Sequence, residues 1–232
     1  MRLGVKPAVF LGRLLFFFFL TYVLWKPVAP AYTRMLASLT SGFLHLTEIS
    51  RDPNLNRATE MGVGEDREGR PAIFYRHRLS PRNAPPQGIP ADWVQANLVL
   101  LIPLMLATPA RSYAQRFGRL GLALAIALVL QILDITVTVK SFYASQLGAY
   151  SFTYYSDLAR RLYQFGDAFT QAMDTQLFPV AIWAGIHFKQ LLGRIGSGPV
   201  AAPSTAPTTT SHAPRRKRKG TKRTLDAVGR SR

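Results

Sequence analysis

The chain has 232 residues, 48% of them hydrophobic, with 29 Lys and Arg against 12 Asp and Glu, a formal charge of +17. Nine basic residues and one acidic residue lie between Arg215 and Arg232, so +8 of that excess belongs to a tail; the remaining apolar residues fall into blocks, as in bilayer-spanning chains, rather than into a period-2 or period-3.6 scatter. The absence of cysteine excludes a disulfide framework, a thiolate metal centre and a thiol nucleophile.

The pattern predicts an all-α integral membrane protein with four transmembrane helices, amphipathic outer helices and a small extracytoplasmic loop element. Residues 1–7, carrying Arg2 and Lys6, form a cytoplasmic start. The first crossing, 8–30, contains the unbroken run Leu14 to Leu20; at ~1.5 Å per residue, roughly 20 such residues span the ~30 Å hydrocarbon layer. Arg13 lies near enough to the basic end for its guanidinium to reach the headgroups. Tyr22, Trp25 and Lys26 make an interfacial belt, and Pro27 and Pro30 are expected to stop regular helix. A cleaved signal peptide is the competing reading, since Ala29-Pro30-Ala31 imitates a small-x-small site. The long apolar core and the intervening Trp-Lys-Pro step speak against it.

An outer segment, 31–92, begins with Tyr32, Met35, Leu36, Leu39, Phe43 and Leu46 at helical spacing, which predicts an amphipathic helix on the outer leaflet or against the bundle. Farther on, Ala72 to Leu79 reads as a strand paired with Thr59–Val63 across a Glu65–Gly69 turn. His45 and Glu48, at i,i+3, could share a metal, but a solvated helix face explains them as well. The second crossing, 93–110, holds Asn97 and Pro103, which should kink it. A basic link, 111–119, carries Arg111, Arg116 and Arg119. The third crossing, 120–139, holds Gln131 and Asp134. An acid in a spanning helix is a functional hypothesis by default, yet Asp134 is near enough to the end to reach the outer interface or pair with Lys26. A second outer segment, 140–168, sets Tyr155, Leu158, Leu162, Phe165 and Phe169 on one helical face. The fourth crossing, 169–192, takes in Asp174 and Pro179.

The tail, 193–232, passes through an Ala/Pro/Ser/Thr spacer that should be disordered. It ends in a cluster holding Arg215, Arg216, Lys217, Arg218, Lys219, Lys222 and Arg223. Beside a membrane such a cluster fixes topology or contacts anionic lipid, at about 1 kcal/mol per charge near the surface. Nucleic acid is the lesser reading. Placing both termini and the basic link in the cytoplasm gathers the positive charges on one side, the arrangement membranes select.

No Gly-x-Ser-x-Gly, phosphate loop or metal-ligand set stands in the sequence, so no catalytic residue, cofactor or metal is expected. The order of basic start, Phe/Leu-rich helix, Trp25-Lys26-Pro27-Val28-Ala29-Pro30-Ala31-Tyr32, amphipathic helix, outer loop and three further helices resembles the small integral membrane proteins associated with exosortase H. The resemblance covers the layout from Leu14 to Leu192. It implies a non-catalytic partner of a protein-sorting enzyme at a bacterial inner membrane. The expected function is therefore a non-enzymatic accessory that binds another membrane protein through Tyr32, Met35, Leu39 and Phe43 and through a strand edge at Ile73, Tyr75 and Leu79. A small transporter or channel subunit using Asp134 is the alternative, and an integral-membrane enzyme with outer-loop carboxylates a second one.

Overall fold

The computed structural model describes residues 7–48, 58–78, 80, 85–110, 112–173 and 177–195. Its elements in chain order are helix α1 (Pro7–Thr47), strands β1 (Thr59–Glu65), β2 (Pro71–His77) and β3 (Gln87–Pro90), then helices α2 (Ala91–Ala107), α3 (Tyr113–Gln146), α4 (Ala149–Tyr154), α5 (Asp157–Met173) and α6 (Leu177–Ile195). The protein is mostly helical but carries a three-stranded sheet, which an all-α description omits. Two helices, α1 and α3, are long and apolar enough to cross a membrane; α2 and the Leu177–Phe188 stretch of α6 are shorter apolar helices.

The first correction concerns α1. Its 41 residues run unbroken through Pro27 and Pro30, so the crossing and the amphipathic helix expected after it are one element. Each proline removes the donor to the carbonyl four residues earlier. Neighbouring side chains hold the axis through this region: Gln95 of α2 accepts from Trp25 Nε1 at 3.0 Å, and donates to Thr33 Oγ1 at 2.5 Å and to the Ala29 carbonyl at 3.3 Å. One amide thus grips α1 on both sides of its prolines. Beyond them α1 buries Thr33, Leu36, Ala37, Thr40 and Leu44, a face turned one position from the apolar stripe read in the sequence.

The predicted hairpin is present, with Thr59 opposite His77 and Glu65 opposite Pro71. Its turn is fixed by Asp66, whose Oδ1 accepts from the Glu68 and Arg70 amides at 2.8 Å each. Gly69 supplies the positive φ, 73°, that the turn needs. The third strand, β3, was not foreseen; it pairs antiparallel with the other edge of β2, Ile73 opposite Ile89. The expectation of an open edge at Ile73, Tyr75 and Leu79 is therefore corrected for the first two residues. They belong to the central strand, 0% and 5% exposed, and Leu79 lies outside the described residues. Strand alternation sends Ile73, Tyr75 and His77 toward the helices, where Tyr75 meets Phe142 and Tyr143 of α3 at ring separations of 5.7 and 6.3 Å. On the other face, Phe74 lies over Gly64 and Gly88 of the flanking strands, where a Cβ would come within 3.1 Å of its ring.

The link between α2 and α3 is shorter than 111–119, because α3 starts at Tyr113 with Ser112 as its N-cap, accepting from the Gln115 amide at 3.2 Å. At 34 residues α3 also overruns the 120–139 span at both ends. It is followed along its length by two helices rather than one. Thr138 with Asp167 (2.7 Å) and Val137 against Gly166 set α5 antiparallel beside the outer half of α3. Ile182 and Trp183 of α6 join Ala123, Ala127, Leu98 and Leu101 in the inner core cluster. The fourth expected crossing, 169–192, thus spans the end of α5 and most of α6. An outer cluster of Leu36, Leu44, Ile73, Tyr75, Val94, Ile135, Val139 and Tyr143 joins α1, sheet, α2 and α3. The sheet is built into the helix ends, which supplies the partner an isolated hairpin would lack.

Candidate functional site

Polar side chains collect in two places. The first is a network inside the bundle. Gln131 accepts from the Tyr32 hydroxyl and donates to the Val94 carbonyl and to Asn97 Oδ1, both at 2.7 Å. Together with Gln95, Trp25 and Thr33 it ties α1, α2 and α3. This brings together three of the residues singled out from the sequence, Tyr32, Asn97 and Gln131. Elsewhere Trp183 Nε1 donates to Thr108 Oγ1 at 2.7 Å, joining α6 to the end of α2, and His187 Nδ1 donates to the Trp183 carbonyl at 2.9 Å within α6. Such groups mutually satisfied in an apolar surrounding hold helices together.

The second place is a pocket of about 330 Å³ among the end of α1, the hairpin, α3, α4 and α5. Glu48, at the end of α1, and Lys140, on α3, form an ion pair at 3.3 Å with side chains only 7% and 11% exposed. Glu48 also accepts from the Thr59 hydroxyl and, at 3.1 Å, from the Thr59 amide, while His45 Nε2 donates to the Thr59 carbonyl at 3.1 Å. The His45/Glu48 spacing that could have suggested a metal therefore clamps the first residue of β1. No group of three or more His, Cys, Asp or Glu that could hold a metal occurs among the described residues.

The rest of the wall is aromatic. Tyr150, Tyr154, Tyr155 and Tyr163 line it together with His77 and Thr136. The His77 ring lies 4.7 Å from those of both Tyr143 and Tyr150, and Tyr150 lies 4.6 Å from Tyr154. Burial lowers the His77 pKa; Glu48 opposes that shift and Lys140 adds to it. Burial, followed by the Glu48 charge, raises the pKa of Tyr150, and burial does the same at Tyr155, so the phenols here are protonated donors at neutral pH.

The other sequence candidates lie apart from this pocket. Met35 and Leu39 are 42% and 43% exposed on the outward side of α1, and Phe43 is half-buried. Arg13 is exposed near the start of α1. Asp134 turns to α5, with Thr170 and Asp167 as its polar neighbours, while the Thr170 hydroxyl donates to the Asp167 carbonyl at 3.1 Å; Lys26 instead sits over its own helix neighbour Tyr22, 5.2 Å from the ring centre. The proposed Asp134 to Lys26 pairing is thus replaced by a contact with α5. Asp174 and the basic cluster Arg215, Arg216, Lys217, Arg218, Lys219, Lys222 and Arg223 lie outside the described residues. Sequence reading missed Glu48 with Lys140 as a pair. Opposite charges at the outer ends of two long apolar helices were the available signal. No family model, no curated protein and no solved structure matches this chain.

Proposed function

We propose that the chain is a non-enzymatic accessory of a bacterial inner membrane, crossing it four times with both termini in the cytoplasm, and that it binds another membrane protein, an exosortase-type sorting enzyme being the partner its sequence layout suggests. The apolar surface supports the crossing scheme. Phe16, Phe19 and Val23 of α1 are 63%, 64% and 63% exposed, and Leu122, Val129 and Leu133 of α3 are exposed as well. A soluble monomer rarely carries so extended an apolar patch. The helices that alternate with the two long ones, α2 and the α5/α6 pair, complete the remaining two crossings, with Arg116 and Arg119 at the start of α3 on the inside.

The single observation that carries the accessory reading is α5. Leu158, Leu162 and Phe165 on one flank are 69%, 60% and 69% exposed, and none of the helix's residues is buried. A helix packed chiefly on α3, with an exposed apolar flank, suits a partner helix. A photoreactive phenylalanine analogue at Phe165 should yield one adduct with a stoichiometric membrane protein in cells, while the same analogue at Phe16 yields lipid adducts. Purification in mild detergent as a clean monomer, with no adduct at Phe165, would reject the reading.

A second reading has one observation in its favour. Two acids, Asp134 of α3 and Asp167 of α5, lie near each other at the α3/α5 contact, with Thr138 donating to Asp167 at 2.7 Å, a place where a transporter would hold a proton or cation. Ion flux in proteoliposomes that disappears in Asp134→Asn would promote it above the accessory role.

A further inference from the structure

The outer pocket has more hydrogen-bond donors than acceptors. Glu48 is largely committed: one oxygen takes the Thr59 hydroxyl and the Lys140 ammonium, and the other takes the Thr59 amide. Lys140 has three N–H donors, and Glu48 is its acceptor among the described residues. The hydroxyls of Tyr150 and Tyr155 point to no acceptor among the described residues. Lys140 and Glu48 cancel in charge, so what the pocket offers is directed donors within apolar ring walls. A volume of about 330 Å³ is enough for a small headgroup. Its floor is Thr136, one turn below Lys140, and Lys140 follows directly on the apolar stretch of α3 that ends at Val139.

From this geometry we infer that the pocket seats the phosphate of an outer-leaflet phospholipid, with the phosphate oxygens accepting from Lys140 and the tyrosine hydroxyls. The acceptor-rich phosphodiester supplies what the wall lacks, and Lys140 stands at the depth where headgroups lie. This rests on the crossing scheme above, which sets that depth. Because the site is electrically balanced, binding depends on hydrogen bonds more than on net attraction, and it should survive salt that strips lipid from the basic tail.

The test uses the full chain in a neutral detergent, titrated with phosphatidylethanolamine and read by native mass spectrometry at low and at 0.5 M salt, a concentration at which the screening length is only a few ångströms, between ~10 Å at 0.1 M and ~3 Å at 1 M. Wild type should retain one salt-resistant lipid. Lys140→Met should weaken that site about tenfold, the equivalent of ~1.4 kcal/mol. Since Lys140→Met leaves Glu48 unpaired and can unfold the cap, Tyr150→Phe with Tyr155→Phe provides a second variant that keeps the rings and the ion pair; it should weaken the site several-fold. Soluble glycerophosphoethanolamine should compete poorly. Wild-type lipid retention in both variants overturns the inference, and equal affinity for the soluble headgroup overturns the assignment to a lipid. Ser145→Cys, the only thiol in such a chain, should react with an impermeant reagent from outside. Failure of that labelling alone removes the crossing scheme, whereas its success with unaltered lipid binding removes only the pocket's assignment.

Discussion

Replacing Gln131 by Leu is the most informative single change to the helix bundle. The side chain is 1% exposed and makes three hydrogen bonds to two other helices, with the Tyr32 hydroxyl, the Val94 carbonyl and Asn97 Oδ1. Leucine is close in size, so cavity terms are small. Inter-helix bonds in an apolar surrounding average ~0.6 kcal/mol each by double-mutant cycles, which gives about 2 kcal/mol for three bonds. Leaving Tyr32 and Asn97 with buried polar atoms unpaired adds ~1–3 kcal/mol. A total of about 3–5 kcal/mol is expected on those two principles. Unfolding in mixed detergent micelles with increasing dodecyl sulfate, followed by tryptophan fluorescence, measures it: Trp25 is bonded to Gln95 in the adjoining part of the network. A cycle with Tyr32→Phe should show coupling of about 1 kcal/mol, within the range found for residues sharing a bond. A loss below ~0.5 kcal/mol for Gln131→Leu, or strict additivity with Tyr32→Phe, would refute the account of these amides as the bundle's fastener.

Three further outcomes are expected. Ile73→Ala, at a fully buried position of the central strand, should cost ~2–5 kcal/mol and loosen the sheet from α3, visible as faster proteolysis in the hairpin; unchanged proteolysis would contradict the burial. His77 has a folded pKa below its ordinary value because burial disfavours the charged ring. The unfolded chain therefore binds the proton first, so stability is complete above pH ~6.5 and declines as pH falls through 6.5 toward the lower folded value. His77→Phe should flatten that window in a melting series, and a wild-type profile independent of pH between 7 and 5 would contradict it. Asp134→Asn keeps the size and shape of the side chain and removes only the charge, so under the accessory reading it should leave both folding and partner capture unchanged in the crosslinking assay.

The sequence by itself determined that apolar blocks would be helices, that the charged ends would bracket them, and that Thr59 to His77 would fold back as a hairpin, because these features depend on local composition and periodicity. It also marked Asn97, Gln131 and Asp134 as polar groups in apolar settings and Tyr32 as an interface residue, without showing that Tyr32 meets Asn97 and Gln131 in one network or that Asp134 faces α5. Tertiary packing alone decided that α1 continues through Pro27 and Pro30, since the Gln95 amide holding it arrives from 65 residues farther along, taking Pro30 to Gln95. Packing also decided that β2 is central, because β3, Gln87–Pro90, is only four residues long and too short for an alternation to be read. The pocket likewise exists only in three dimensions: Glu48 and Lys140 are 92 residues apart. Each alone is an ordinary charge at a helix end; the chain's return brings them together beneath a tyrosine wall.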